Sequence, residues 1–286
     1  MLQYPKILQG VYAMKTLYVS DLDGTLLRSD VSTSDYTNRT INRLARQGML
    51  FSYATARTYS TSVKVTHGLD AHIPLIVYNG AMIVDNVTGE ILLSNFFGGD
   101  AHRLLDDLRA HGVVPIVYAF VDGVERFSYV PARSSRGVLD FVASRQGDRR
   151  DNPVASVGDL YRGEIFYFAC IGEEEKLEPL ERKYRSVYHT VYQKDIYSGE
   201  QWLEIMPLAA SKSNAIRQLR EKLGCDRLVV FGDGKNDIDM FELADEGYAV
   251  SNAAPELKAV ATAVIGSNDE DAVARWLSEH AEIAGR

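Results

Sequence analysis

Short apolar runs that end in polar turns, each followed by a stretch with helical spacing, occupy both ends of this chain but not its middle. Thr16–Ser20 (TLYVS), Met49–Ala54 and Ile73–Tyr78 read as buried strands. Tyr36–Arg46, with Ile41, Leu44 and Ala45 on one face and Gly48 after its end, reads as a helix, as does Tyr59–His67. Strands that alternate with helices of this length build a parallel sheet with right-handed crossovers. From about Ala81 to Tyr197 the pattern changes. Strands over Val114–Phe120, Glu125–Val130, Glu164–Cys170 and Val187–Tyr192 look alternating and half exposed. Helical spacing falls between them at Ala101–His111, Ser135–Ser144 and Glu173–Tyr184, which predicts an antiparallel sheet with helices on one face. After Gln201–Met206 the first rhythm resumes: helix Ser211–Leu223, strand Arg227–Phe231, helix Asp237–Ala244, strand Tyr248–Val250 and helix Asp269–His280. The expected fold class is α/β, a doubly wound, mostly parallel sheet over residues 14–84 and 198–286. An α+β domain over residues 85–197 interrupts it. Residues 1–13, ahead of Met14, read as an N-terminal extension that the fold does not need.

Composition narrows the function. Apolar residues make up 46% of the chain and charged residues 24%, ordinary values for a globular protein with a sizeable core. No run approaches the roughly 18 apolar residues that span a membrane, and no secretory leader is visible, so a cytoplasmic protein without a membrane partner is expected. A net charge of −8 disfavours general nucleic-acid binding, which needs a basic stripe. Cys170 and Cys225 stand far apart outside any C-x-x-C pair, and the six histidines are scattered, which argues against zinc, a disulfide framework or a histidine relay. No partner beyond a small molecule is required, so a monomer or weak homodimer is expected.

In doubly wound sheets, ligands gather beyond the carboxyl ends of the strands. The first strand runs into Asp21-Leu22-Asp23-Gly24-Thr25, and the second into Thr55-Ala56-Arg57. The helix after the insert opens with Ser211-Lys212, and the next strand runs into Gly232-Asp233-Gly234-Lys235-Asn236-Asp237. Singly, these are ordinary turns and helix caps. Together they bring carboxylates, a hydroxyl and an ammonium to one edge of one sheet. Carboxylates without histidine favour a hard cation such as Mg2+.

Asp21–Leu27 (DLDGTLL) resembles the first motif of the haloacid dehalogenase superfamily. Thr55 with Ala56 and Arg57 is similar to the second motif, Lys212 to the third and Gly232–Met240 (GDGKNDIDM) to the fourth. The long insert between the second and third motifs, with Tyr78-Asn79-Gly80-Ala81 and Ser251-Asn252-Ala253, resembles the Cof-type subgroup with a large cap. Ala56 stands where that subgroup usually has glycine. The resemblance implies a Mg2+-dependent phosphatase acting on a small phosphorylated metabolite such as a sugar phosphate. Asp21 would be the nucleophile that becomes a phosphoaspartate, and Asp23 the general acid and base. The metal would be held by Asp21, the backbone carbonyl of Asp23, and Asp233. Asp237 would hold metal-bound waters or orient Lys212. Thr55, the Ala56 N–H, Arg57, Lys212 and Asn236 would contact the phosphate. The insert would act as a lid, with Arg57, Glu125, Arg126 and Arg133 as candidate specificity residues.

A sugar-phosphate phosphomutase is the alternative within this superfamily. It would need basic cap residues for a second phosphate, and Arg126, Arg133, Arg136, Arg145, Arg149 and Arg150 are available. A signalling receiver also collects acids, a hydroxyl and a lysine around a metal. It is about half this length and lacks an acid two residues after its phosphate acceptor. An inactive scaffold is disfavoured by the intact set of chemical residues.

Overall fold

A computed structural model describes residues 14–194 and 199–283. The expected N-terminal extension, residues 1–13, lies outside the described residues.

Strand β1 (Thr16–Asp21) is buried along its whole length, which its unbroken apolar run requires of a strand covered on both faces. It pairs in parallel with β2 (Leu50–Ala54), reached through helix α1 (Asp35–Arg46). Helix α2 (Tyr59–Val65) leads to β3 (Pro74–Val77), also parallel. The chain then turns back through β4 (Met82–Asp85) and β5 (Ile91–Ser94), which extend the same sheet as an antiparallel pair.

The insert follows: α3 (Asp100–Ala110), β6 (Ile116–Val121), β7 (Val124–Tyr129), α4 (Arg136–Ala143), β8 (Asp151–Pro153), β9 (Glu164–Gly172), α5 (Glu174–Tyr184), β10 (His189–Lys194) and β11 (Gln201–Met206). Its six strands run in the order β10-β11-β9-β6-β7-β8, antiparallel except for the β7–β8 edge. The final segment returns to the first sheet with α6 (Lys212–Leu223), β12 (Arg227–Gly232), α7 (Ile238–Leu243), β13 (Glu246–Ala249), α8 (Pro255–Val260), β14 (Ala263–Val264) and α9 (Ala272–His280). That sheet reads β14-β13-β12-β1-β2-β3-β4-β5. β1 therefore lies between β2 and β12, where the strand order reverses and a crevice opens beyond the carboxyl ends. No described helix is long and apolar enough to cross a membrane.

Sheet membership departs from the expected boundaries at both ends of the insert. The change of sheet falls after Ser94 rather than residue 84, because β4 and β5 pair with β3. It falls after Met206 rather than residue 197, because β11 pairs with β9 and β10. The insert's helices also do not share one face. Leu104, Leu105 and Leu108 of α3 and Leu177 and Leu180 of α5 pack in an outer apolar layer with Leu203 and Ile205. Val138 of α4 belongs to the inner core, and Phe141 of α4 meets Trp202 edge-on, so α4 covers the opposite face.

The inner core runs without a break from the parallel layer into the inner face of the antiparallel sheet. A polar knot lies within this contact. The Tyr78 hydroxyl donates to Glu125, and Arg150 Nη1 reaches the Tyr78 oxygen at 2.9 Å and Glu125 at 3.0 Å. Arg150 also pairs with Asp148 at 2.6 Å. Removing one partner of such a set leaves the others desolvated and unpaired. Arg150→Ala is therefore expected to lower unfolding stability by roughly 3 kcal/mol, the low end for a buried pair because Glu125 and Asp148 keep some exposure. A drop in the urea midpoint at unchanged slope checks it.

Candidate active site

The carboxyl end of β1 passes directly into a tight turn over Leu22–Leu26, closed by the Leu27 N–H on the Leu22 carbonyl at 2.9 Å. Gly24 carries φ +77°, and a Cβ there would stand 2.5 Å from Asp233 Oδ2. Glycine is needed at this position for its conformation and because Asp233 comes so close. Thr25 donates to Asp233 Oδ1 at 2.9 Å, and Asn252 donates to the Gly24 carbonyl at 2.8 Å. The first and last segments of the parallel layer are thereby tied together at the crevice.

Lys212 is the first residue of α6, where the helix dipole opposes a positive charge. Two carboxylates offset that cost: its Nζ donates to Asp21 Oδ1 at 2.5 Å and to Asp237 Oδ1 at 3.0 Å. The other oxygen of Asp237 accepts from the backbone N–H groups of Asp233 and Gly234 at 3.2 and 3.1 Å. The N-terminus of α6 is set by the Ser211 cap and by the loop Tyr78–Gly80, where Asn79 adopts φ +54°. Asparagine is among the few residues that take this left-handed conformation readily.

Asp21, Asp233 and Asp237 each place a carboxylate oxygen within 4.8 Å of the others. Burial pushes the Asp21 carboxyl well above the usual range; Lys212 counters this, and the charges of Asp237 and Asp233 add to it. Asp233 is raised as well, mainly by burial. Burial also works against the charge on Lys212, but Asp21 and Asp237 outweigh it and its pKa is raised. One ammonium thus faces three clustered acids. An all-oxygen, acid-rich donor set short of positive charge fits a hard divalent cation.

Asp23 is more exposed and its carboxylate lies outside that cluster. Arg57 holds it in a fork, Nε at 3.0 and 2.9 Å from its two oxygens and Nη2 at 2.6 Å from one of them. Thr55 is buried; its Oγ1 accepts the Arg57 N–H at 3.1 Å, which leaves its own proton to donate elsewhere. Ala56 is absent from the residues with positive φ, so alanine takes the place of the usual glycine without strain.

Ala56, Lys212 and Asn236 line a cleft of about 780 Å³ between the two layers, together with Asn79 and the insert residues His189, Val191, Gln193 and Glu204. The other expected specificity residues lie elsewhere. Glu125 belongs to the Tyr78 knot, Arg126 donates to the Arg149 carbonyl, and Arg133 lines a groove beside Asp106 and Arg109. Arg136 pairs with Asp140, Arg145 lies over the Phe141 ring, and Arg150 is held by Glu125 and Asp148. Sequence reasoning assigned no role to Asn79, His189 or Glu204. Asn79 lay within a quoted motif, whereas His189 and Glu204 had no local signal.

The model of the haloacid dehalogenase-like hydrolases matches residues 18–277, across both segments of the parallel layer and the insert. The chain belongs to this family. Among curated relatives, it is 28% identical to the 5-amino-6-(5-phospho-D-ribitylamino)uracil phosphatase YitU of Bacillus subtilis, covering 92% of this chain and 97% of that one. It is 29% identical to the putative phosphatase YkrA of the same organism, over 91% and 95% of the two chains. Among solved structures, TM0651 from Thermotoga maritima superposes with a TM-score of 0.75 at 24% identity, covering 95% of this chain and 99% of that one. The sugar phosphatase BT4131, of subclass IIB of the family, superposes at 0.66 and 19% identity, over 93% and 98%. At these identities the structures establish the shared fold with its inserted cap.

Proposed function

We propose that this family member is a Mg2+-dependent phosphatase that hydrolyses a small phosphomonoester through a phosphoaspartate on Asp21. The observation that carries the reading is the placement of Asp21 Oδ1 on Lys212 Nζ, beside Asp233 and Asp237, at the end of β1. The parallel layer is the catalytic unit and the insert is its cap.

Mg2+ held by Asp21, the Asp23 carbonyl and Asp233 would neutralise charge on the phosphoryl oxygens, which is the chief demand of phosphoryl transfer. The chain's own residues do the rest. Lys212 takes the charge of one Asp21 oxygen, leaving the other as nucleophile, and its remaining proton is available to a phosphoryl oxygen. The Thr55 hydroxyl and the Ala56 N–H donate to the phosphoryl group. Asp23 protonates the leaving oxygen, then takes a proton from the water that attacks the phosphoaspartate. Arg57 now occupies both Asp23 oxygens, so it must shift to free Asp23 for this work. Asp237 fixes Lys212 and is itself fixed by two backbone N–H groups.

A phosphomutase would return the phosphate to the sugar, and its cap would need cations facing the cleft. The described cap residues that line the cleft carry none, which favours release to water. Incubation with hexose monophosphates should release inorganic phosphate in step with substrate loss. Isomerised sugar phosphate without free phosphate would contradict the reading.

A further inference from the structure

The floor of the cleft is built for a phosphate; its roof has a different chemistry. On β11, Leu203 and Ile205 point into the outer apolar layer, so Trp202, Glu204 and Met206 point inward by strand alternation. On β10, Tyr192 joins the outer layer while Val191 joins the inner core. Glu204 pairs in register with Val191 on one side and Ala169 on the other, and the small Ala169 leaves space beside it. Tyr167, two residues from Ala169 on β9, lies diagonally across from Glu204, where its hydroxyl favours the ionised carboxyl against the larger effect of burial. Glu204 has no cationic partner among these contacts, and it lines the same cleft as Lys212 and Asn236. His189, on the same inward face of β10, also lines the cleft. Burial lowers its pKa, with nearby Asp239 working the other way, so it offers a neutral ring.

A half-buried carboxylate beside one tyrosine retains acceptor sites, and leaving them unmet is costly. A hydroxyl or ammonium group on the organic part of a substrate would meet them; a second phosphate would be repelled. We propose that Glu204, set by Tyr167, is the specificity-determining residue of this cleft, accepting a hydroxyl or ammonium donor of the leaving group and discriminating against a second phosphate. The inference rests on the phosphatase reading above and names the substrate class that the roof selects. Tyr167 is a positioning residue that acts through Glu204.

The test compares kcat/KM of the full-length chain with Mg2+ for ribitol 5-phosphate, glucose 6-phosphate, glucosamine 6-phosphate, fructose 1,6-bisphosphate and p-nitrophenyl phosphate. The wild type should prefer the best of the three donor-bearing monophosphates to the bisphosphate. Glu204→Gln should cut the ratio of that substrate to p-nitrophenyl phosphate by about 10- to 100-fold, the loss expected for a hydrogen bond to a charged group. It should raise the relative rate on the bisphosphate. Tyr167→Phe should shift the same ratios in the same direction by less. A general packing defect would lower all rates together and leave the ratios unchanged, and unchanged ratios overturn the proposal. A wild-type chain that turns over p-nitrophenyl phosphate but prefers the bisphosphate overturns the proposal alone. A chain inactive on all five overturns the phosphatase reading and the proposal with it.

Discussion

Asp21→Asn should abolish turnover, lowering kcat by about 10⁴-fold or more, while the protein remains folded. The amide matches the carboxylate in shape but cannot attack phosphorus. Lys212 retains Asp237 at 3.0 Å, so α6 keeps its anchor. Burial and two neighbouring acids already disfavour the charge on Asp21, so removing it should leave the thermal midpoint unchanged or higher. Circular dichroism and a thermal scan report the fold, and phosphate release reports the chemistry. Asp21→Asn protein that still turns over at a tenth of the normal rate would show that the nucleophile is not Asp21.

Removing divalent metal should have an effect of similar size, with a second signature in stability. Asp21, Asp233 and Asp237 crowd three carboxylates around one lysine, so their mutual repulsion is relieved by a bound cation. Dialysis against a chelator should reduce phosphate release to background, and Mg2+ should restore it. Ca2+ should restore it poorly, because it favours longer bonds and more ligands. Mg2+ at about 100 times its dissociation constant should add about 2.7 kcal/mol of stability by mass action, visible as a higher thermal midpoint. Asp233→Asn should lose most of that shift. A chelated protein that retains full activity and shows no midpoint shift would contradict this.

These expectations draw on parts of the molecule that differed in legibility. β1 and its polar end were plain in the sequence, because a strand buried on both faces carries an unbroken apolar run and the acids follow it directly. Asp233, Asp237 and Lys212 were legible for the same reason: each sits at the end of a strand or the start of a helix whose rhythm is clear. Sheet partners were not. Gln201–Met206 was read only as the point after which the first rhythm resumes, and nothing in six residues tells which sheet it joins; pairing with β9 and β10 decides that. Met82–Asp85 and Ile91–Ser94 are four residues each, too short for alternation to show, and they belong to the parallel layer only through the turn after β3. Arg150 counted among the cap arginines available for a second phosphate but is enclosed by Glu125, Asp148 and Tyr78. Glu204 carried no local signal, and only the packing of two layers makes its side of β11 a cleft roof.

The covalent step proposed for Asp21 is tested most directly in Asp23→Asn with p-nitrophenyl phosphate. This leaving group needs no proton, so the first transfer should proceed, whereas the attack of water should stall for want of a base. Rapid mixing should give a burst of about one p-nitrophenolate per chain, and peptide mapping of the quenched protein should find the phosphate on Asp21. Steady turnover with no burst and no phosphate on Asp21, or phosphate on another residue, would contradict the account.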